Sequence, residues 1–291
     1  MAVLPLAAWV LGFLILAGLK RPLAEAALAS LTVVSVCVLL TTELLSAFSA
    51  LSFAWVALSW LVLCAAGVLL FHHRVVDGMR RLDPRRRPDL SRTDIVAGAV
   101  IAVFVGAAAL AALLYPTTNY DSLTYHMPRV FFWYQNQSVA HYPTAEARQL
   151  FSSPFVEYVV LNLKVLSHGS ERLSNLVQWT SYAASIAAVS LVARQLGATR
   201  RGQQAAALAA ATVPMAALQA STTQNDLTCA LWCLVAVYAM LSALSDQPSR
   251  QPFLIARGAW IGAALALAVA SKPTAYLLCL PFVAWFAITS V

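Results

Sequence analysis

HHRVVDGMRRLDPRRRPDLSRTD (72–94) runs directly into IVAGAVIAVFVGAAALAALLY (95–115), and this junction decides how the chain is read. The second stretch carries no charge over a length that crosses a hydrocarbon core of roughly 30 Å as a helix. The first holds Arg74, Arg80, Arg81, Arg85, Arg86, Arg87 and Arg92, a density of basic residues that marks a cytoplasmic loop. Similar apolar runs recur on both sides. They lie near 2–19, 26–46, 51–71, 173–193, 204–221, 227–244, 258–271 and 275–291, which makes nine spans in all. With 60% hydrophobic and 11% charged residues, the chain carries more apolar surface than one soluble core hides, so lipid must be its solvent. The runs lack the period-2 alternation of barrel strands, so they predict helices.

Counting spans from the basic loop puts Lys20, Arg21, Arg194, Arg200, Arg201, Arg250 and Arg257 on the same side, 14 of the 19 basic residues. Arg129, Arg148, Lys164, Arg172 and Lys272 then face outside. The net charge of +7 is explained by orientation, and no nucleic-acid partner is expected. No basic residue precedes the first run and Lys20 and Arg21 follow it, the reverse of a signal peptide. All five cysteines (Cys37, Cys64, Cys229, Cys233, Cys279) fall in predicted spans, where packing is the expected role. The histidines of the external loop show no metal-site spacing, and no protein-built zinc site is expected.

The expected organisation is three leading helices (1–71), a basic cytoplasmic loop (72–94), and a module from 95 to 291 with one large external loop at 116–172. Residues 154–167 (PFVEYVVLNLKVLS) are apolar but too short to cross and are interrupted by Glu157 and Lys164. They predict a helix lying in the outer interface, capped by Ser152 or Ser153. The loop tip, around 139–149, is expected to be mobile. The last run reaches Val291 without a polar flank, as in a shortened chain.

The external loop opens with TTNYDSLTYHMPRVFFWY after Pro116 ends the fourth span. Asp121 lies two helical turns beyond that span among Tyr120, Tyr125, Trp133 and Tyr134, where headgroups and water meet. A carboxylate there suits a general base for an acceptor hydroxyl, and equally suits a cap for the helix that follows. His126 and Arg129 come one and two turns later, available to a phosphate or to solvent. Asn225 and Asp226 stand at the mouth of the seventh span, where an acid also complements a helix N-terminus. Lys272 ends the eighth, where it can hold a phosphate oxygen or snorkel to the headgroups. Two carboxylates and a cation thus reach one face from three separate loops.

In this combination the chain resembles GT-C class membrane glycosyltransferases, particularly the bacterial branch related to dolichyl-phosphate-mannose protein mannosyltransferases and lipid A aminoarabinose transferases. The resemblance rests on NYDSLTYHMPR (119–129), FSSPFVEY (151–158), TTQND (222–226) and SKPTA (271–275). It implies an all-α, polytopic bundle whose external loop contains interfacial helices. It implies transfer of a sugar from a polyprenyl-phosphate donor to a saccharide, lipid or protein acceptor, outside a bacterial inner membrane. Asp121 would be the catalytic base. Asp226 with Asn225 would assist the acceptor or a metal, and Lys272, Arg129, Arg148 and His126 would hold the donor phosphate. Tyr120, Tyr125 and Glu157 would wall the substrate, and a divalent cation shared by the carrier phosphate with Asp121 or Asp226 is compatible with this set. The chain departs from the family in two places. Ser122 follows Asp121 where many members have a second acid, and Ser153 stands where the aminoarabinose transferases have Lys. The family's large C-terminal region also lies outside the sequence. A non-catalytic subunit or scaffold, and a transporter or flippase of lipid-linked substrate, are the competing expectations.

Overall fold

The computed structural model describes residues 1–82, 90–245 and 251–290. Arg85, Arg86, Arg87, Arg250 and Val291, used above to orient the chain or place its last span, lie outside the described residues. Among the described residues every regular element is helical. Five helices are long and apolar enough to cross a membrane: α2 (Leu23–Ser46), α3 (Phe53–Arg81), α4 (Arg92–Leu114), α8 (Leu176–Gln195) and α11 (Asp226–Ser245). Shorter apolar helices cover Leu4–Gly18, Ile255–Ser271 and Ala275–Thr289. The chain is an integral membrane protein, and its contacts divide it into two compact units.

Unit 1 comprises Met1–Asp89, Leu123–Phe151 and Glu157–Ser174. Its first helix, α1 (Leu4–Gly18), crosses α3 almost backbone to backbone. A Cβ built at Gly18 would lie 2.1 Å from Arg74 O, and one at Gly78 would lie 2.1 Å from Leu14 O. Only glycine permits this approach. Gly78→Ala should therefore force α1 off α3 at a cost of about 1–3 kcal/mol or more, read as a lowered thermal midpoint in detergent. A variant that melts with the wild type would show that the two helices adjust freely. The contact also explains why the basic stretch does not become a loop at residue 72. α3 continues to Arg81 through a break at Phe71 (φ −127°, ψ 21°). Arg80 and Arg81 fall in its last turn, where cations complement the helix dipole. Arg81 also donates to the carbonyls of Ala17 (3.0 Å) and Arg21 (2.5 Å), at and just beyond the end of α1.

Unit 1 also contains α5 (Met127–Asn136), the short α6 (Arg148–Phe151), and α7 (Phe155–Leu166) from Glu157 onward. Within segment 154–167 the helix α7 is too short to span, and it is buried by its neighbours along its length. Tyr158, Leu161, Asn162 and Lys164 are all 4% exposed or less. Polar partners make that burial tolerable. Asn162 accepts from Trp60 Nε1 (3.2 Å) and donates to Thr42 Oγ1 (2.9 Å). Tyr158 donates to Glu43 Oε1 (2.5 Å), and burial together with that carboxylate pushes its phenol above the usual range. Lys164 donates to Glu171 (2.7 Å) and the Gly169 carbonyl (3.0 Å), with Phe131 and Tyr134 rings about its ammonium.

Unit 2 comprises Leu90–Ser122, Ser152–Val156 and Asn175–Val291. It packs α4, α8 and α11 with α9 (Arg200–Ala211), α10 (Pro214–Gln219), α12 (Gln251–Ser271) and α13 (Ala275–Thr289). The span expected over 204–221 is two helices. Pro214 has no N–H to continue the ladder and holds Val213 extended (φ −62°, ψ 113°). The Ala211 carbonyl at the break accepts a hydrogen bond from the Tyr182 hydroxyl instead.

Hydrogen bonds fix which helix ends of unit 2 meet. Asn175, at the start of α8, donates to Tyr115 O at the end of α4 (3.1 Å) and accepts from Thr117 Oγ1 (2.6 Å). Ser181 and Thr228 join α8 to the first turn of α11 (2.8 Å), and Lys272 joins the end of α12 to the start of α11. At the other end of α4, about 34 Å away for a helix of this length, Asp94 completes a capping box with Ser91. Asp94 also pairs with Arg200 (2.8 Å) and accepts from Gln204 at the start of α9. The basic residues that begin α9 and the group containing Asp226 and Lys272 therefore occupy opposite ends of this unit.

Candidate active site

Pro116 forces the chain out of α4, with Tyr115 extended (φ −107°, ψ 138°) as the residue before a proline must be. Asn119 Oδ1 then accepts the Ser122 amide (2.8 Å), so this amide at the start of the next element is satisfied by Asn119. Asp121 is half-buried and immediately precedes a single π-helical turn, Ser122–His126. Such turns are rare and concentrate at functional sites, because the widened ladder redirects side chains. Tyr120 beside it is 71% exposed.

Asp226 and Lys272, 46 residues apart, form an ion pair at 2.6 Å in the same unit. Both side chains are about a third exposed, at 38% and 34%. Solvent screens the pair, so an entering anion can compete for the ammonium. Behind it Asn225, only 6% exposed, donates to Ser271 O (3.0 Å) and receives the Cys229 amide on its own carbonyl (3.0 Å). Asn225 thereby holds the two loops in register. Ser153, one of the two residues expected to cap α7, donates its hydroxyl to Val269 O on α12 (2.9 Å).

In unit 1, Glu157 is 1% exposed and receives two neighbours. His126 Nδ1 lies 2.8 Å and Arg129 Nη1 3.5 Å from its Oε1. The Arg129 guanidinium also lies 4.4 Å from the Trp133 ring centre. His126 and Arg129 are themselves 1% and 4% exposed. Two groups expected to meet a phosphate, and one expected to wall a substrate, thus form a buried cluster with one another. Arg148 is paired with Glu146 (2.9 Å), and its guanidinium lies 4.8 Å from the Tyr125 ring centre. The Arg148 hydrogen bonds hold the Glu146 carboxyl below its ordinary range.

The loop tip around 139–149 is tethered at both ends. Val139 donates to Ser46 Oγ (2.8 Å), and Gln149 accepts from the Tyr142 hydroxyl (3.0 Å) while donating to Thr124 O (2.8 Å). Asn119, Glu146, Gln149 and Asn175 hold these segments through contacts that local sequence does not announce. Only the Asn119-x-x-Ser122 spacing, typical of a side chain capping a turn, signals one of them in advance. Among the described residues no group of three or more His, Cys, Asp or Glu is placed to hold a metal ion.

Residues 152–291 match the family model described as dolichyl-phosphate-mannose-protein mannosyltransferase, a GT-C type glycosyltransferase family. The resemblance expected from the sequence is shown over this stretch, which includes PFVEY, TTQND and SKPTA. Asp121, His126, Arg129 and Arg148 precede it. No curated protein and no solved structure shows a comparable match.

Proposed function

We propose that this chain, with the family's pattern over residues 152–291, moves a sugar from a polyprenyl-phosphate donor to an acceptor hydroxyl on the extracytoplasmic face. The observation that carries the reading is the Asp226–Lys272 pair, about a third exposed, at the end of unit 2 opposite Asp94 and Arg200. The positive-inside rule assigns the Arg200 end to the cytoplasm.

In the proposed reaction Asp121 takes the proton of the acceptor hydroxyl. The acceptor oxygen bonds to the anomeric carbon as the bond from that carbon to the phosphate oxygen breaks, which inverts the configuration. Lys272 stabilises the charge growing on the departing phosphate. Asp226, beside Asn225, orients Lys272 at rest and the acceptor during transfer, and would supply a carboxylate ligand to a divalent cation brought by the donor phosphate. Within unit 1, Arg148, 34% exposed at its side chain, is the candidate for binding an anion. His126, Arg129 and Glu157 serve through one another, and Tyr120 and Tyr125 wall the acceptor side.

The test is reconstitution in lipid with a panel of radiolabelled polyprenyl-phosphate sugars, following donor binding and label transfer. Lys272→Ala should raise the donor Kd about tenfold or more, the usual effect of losing a charge-assisted hydrogen bond. Neither binding nor transfer with any donor in the wild type would overturn the reading in favour of a scaffold or transporter.

A further inference from the structure

We propose that Cys233 and Cys279 form an oxidisable dithiol, a modification site that can staple α13 to α11 beneath the Asp226–Lys272 pair. The two thiols are in direct contact, with Cys279 Sγ 3.4 Å from Cys233 Sγ. A disulfide requires about 2.05 Å, so the sulfurs must close by about 1.4 Å, within reach of small side-chain rotations. Both residues belong to unit 2, whereas Cys37 and Cys64 belong to unit 1. Cys229 lies one turn before Cys233 on α11 and hydrogen-bonds both to it and to Thr274 at the start of α13, so a third thiol adjoins the pair.

Placement gives the pair its consequence. Cys233 follows Asp226 by seven residues and Cys279 follows Lys272 by seven, so the thiol contact repeats the register of the ion pair. It lies about 10 Å along α11 from Asp226 at the helical rise. Between Lys272 and α13 the chain passes through Pro273 and Thr274 alone, so a covalent bond at Cys279 fixes the segment that carries Lys272. Cys279 is buried and Cys233 half-buried, so the oxidant must reach Cys233 from within the bilayer. A lipid-permeant azodicarboxamide suffices. The two thiols lose two protons and two electrons as the Sγ–Sγ bond forms, and the azo N=N takes up both to become the hydrazine. A dithiol reductant reverses the step.

The experiment treats the full chain in lipid with the azodicarboxamide, then denatures it and counts the thiols that react with a maleimide. Two of the five cysteines should become unreactive in the wild type and be restored by dithiothreitol. Mass spectrometry should find one linked peptide pair containing Cys233 and Cys279, lighter by two hydrogens. Cys229→Ser should lose the same two thiols, and Cys279→Ser should lose none. Five reactive thiols after oxidation, a bond involving Cys229, or a bond between two chains would each overturn the proposal. Sugar transfer enters none of these readouts, so the dithiol stands or falls separately from the proposed activity.

Discussion

Asp121→Asn should reduce sugar transfer by a factor of about 10²–10⁴ and leave donor binding close to that of the wild type, the range expected when a positioned general base is lost. Asparagine keeps the size and hydrogen-bonding reach of the carboxylate but cannot take a proton from the acceptor. The substitution therefore separates chemistry from shape. Asn119 supports this separation because the Ser122 amide already has Asn119 Oδ1 as its acceptor and does not depend on residue 121. The measurement is single-turnover label transfer at saturating donor, with donor affinity determined on the same preparation. Transfer at the wild-type rate would remove Asp121 from the base role. Asp226→Asn would then be the next variant to examine, since its carboxylate stands in the same unit beside Lys272.

Glu157→Ala should destabilise the protein by about 3–5 kcal/mol, the cost of removing one member of a buried ionic cluster and leaving its partners buried. Arg129 is 4% exposed and His126 1%, so neither turns to water when the carboxylate disappears. The effect should appear as an early thermal transition and a shift to aggregate on size exclusion in detergent. Glu157→Gln should lose less, because an amide oxygen still accepts from His126 while the charge facing Arg129 is gone. A Glu157→Ala protein that melts with the wild type would mean that the cluster is not what holds α5 against α7. Asp226 and Lys272 make a useful contrast. Their pair is a third exposed, and its loss should barely change the thermal midpoint while weakening donor binding.

These two variants lie on opposite sides of what local sequence can show. An unbroken apolar run needs no partner to declare itself, because lipid forces any backbone crossing it to satisfy its own hydrogen bonds. The helical character of the described residues, the recurrence of long apolar helices among them and the end of α4 at Pro116 were therefore determined by composition and by one proline. Pro214 was equally visible within 204–221. The Tyr182 hydroxyl that donates to the Ala211 carbonyl at the break was not. The loops that carry Asp226 and Lys272 could also be placed at helix ends from hydropathy.

What the sequence did not contain was which of these ends meet. Asp226 finds Lys272 across 46 residues because α11 packs against α12, and Glu157 finds His126 across 31 because both residues pack within unit 1. Read locally, Glu157 and Lys164 are charges that interrupt an apolar stretch and argue for a helix lying in the outer interface. In the folded chain both are buried, and His126, Arg129 and Glu171 supply the opposite charge or hydrogen bond. Hydropathy is a property of each residue and its neighbours in the chain, so it determined what crosses the membrane. Charge pairing is a property of residues brought together by packing, so only the tertiary structure decided which polar groups face solvent and which face one another.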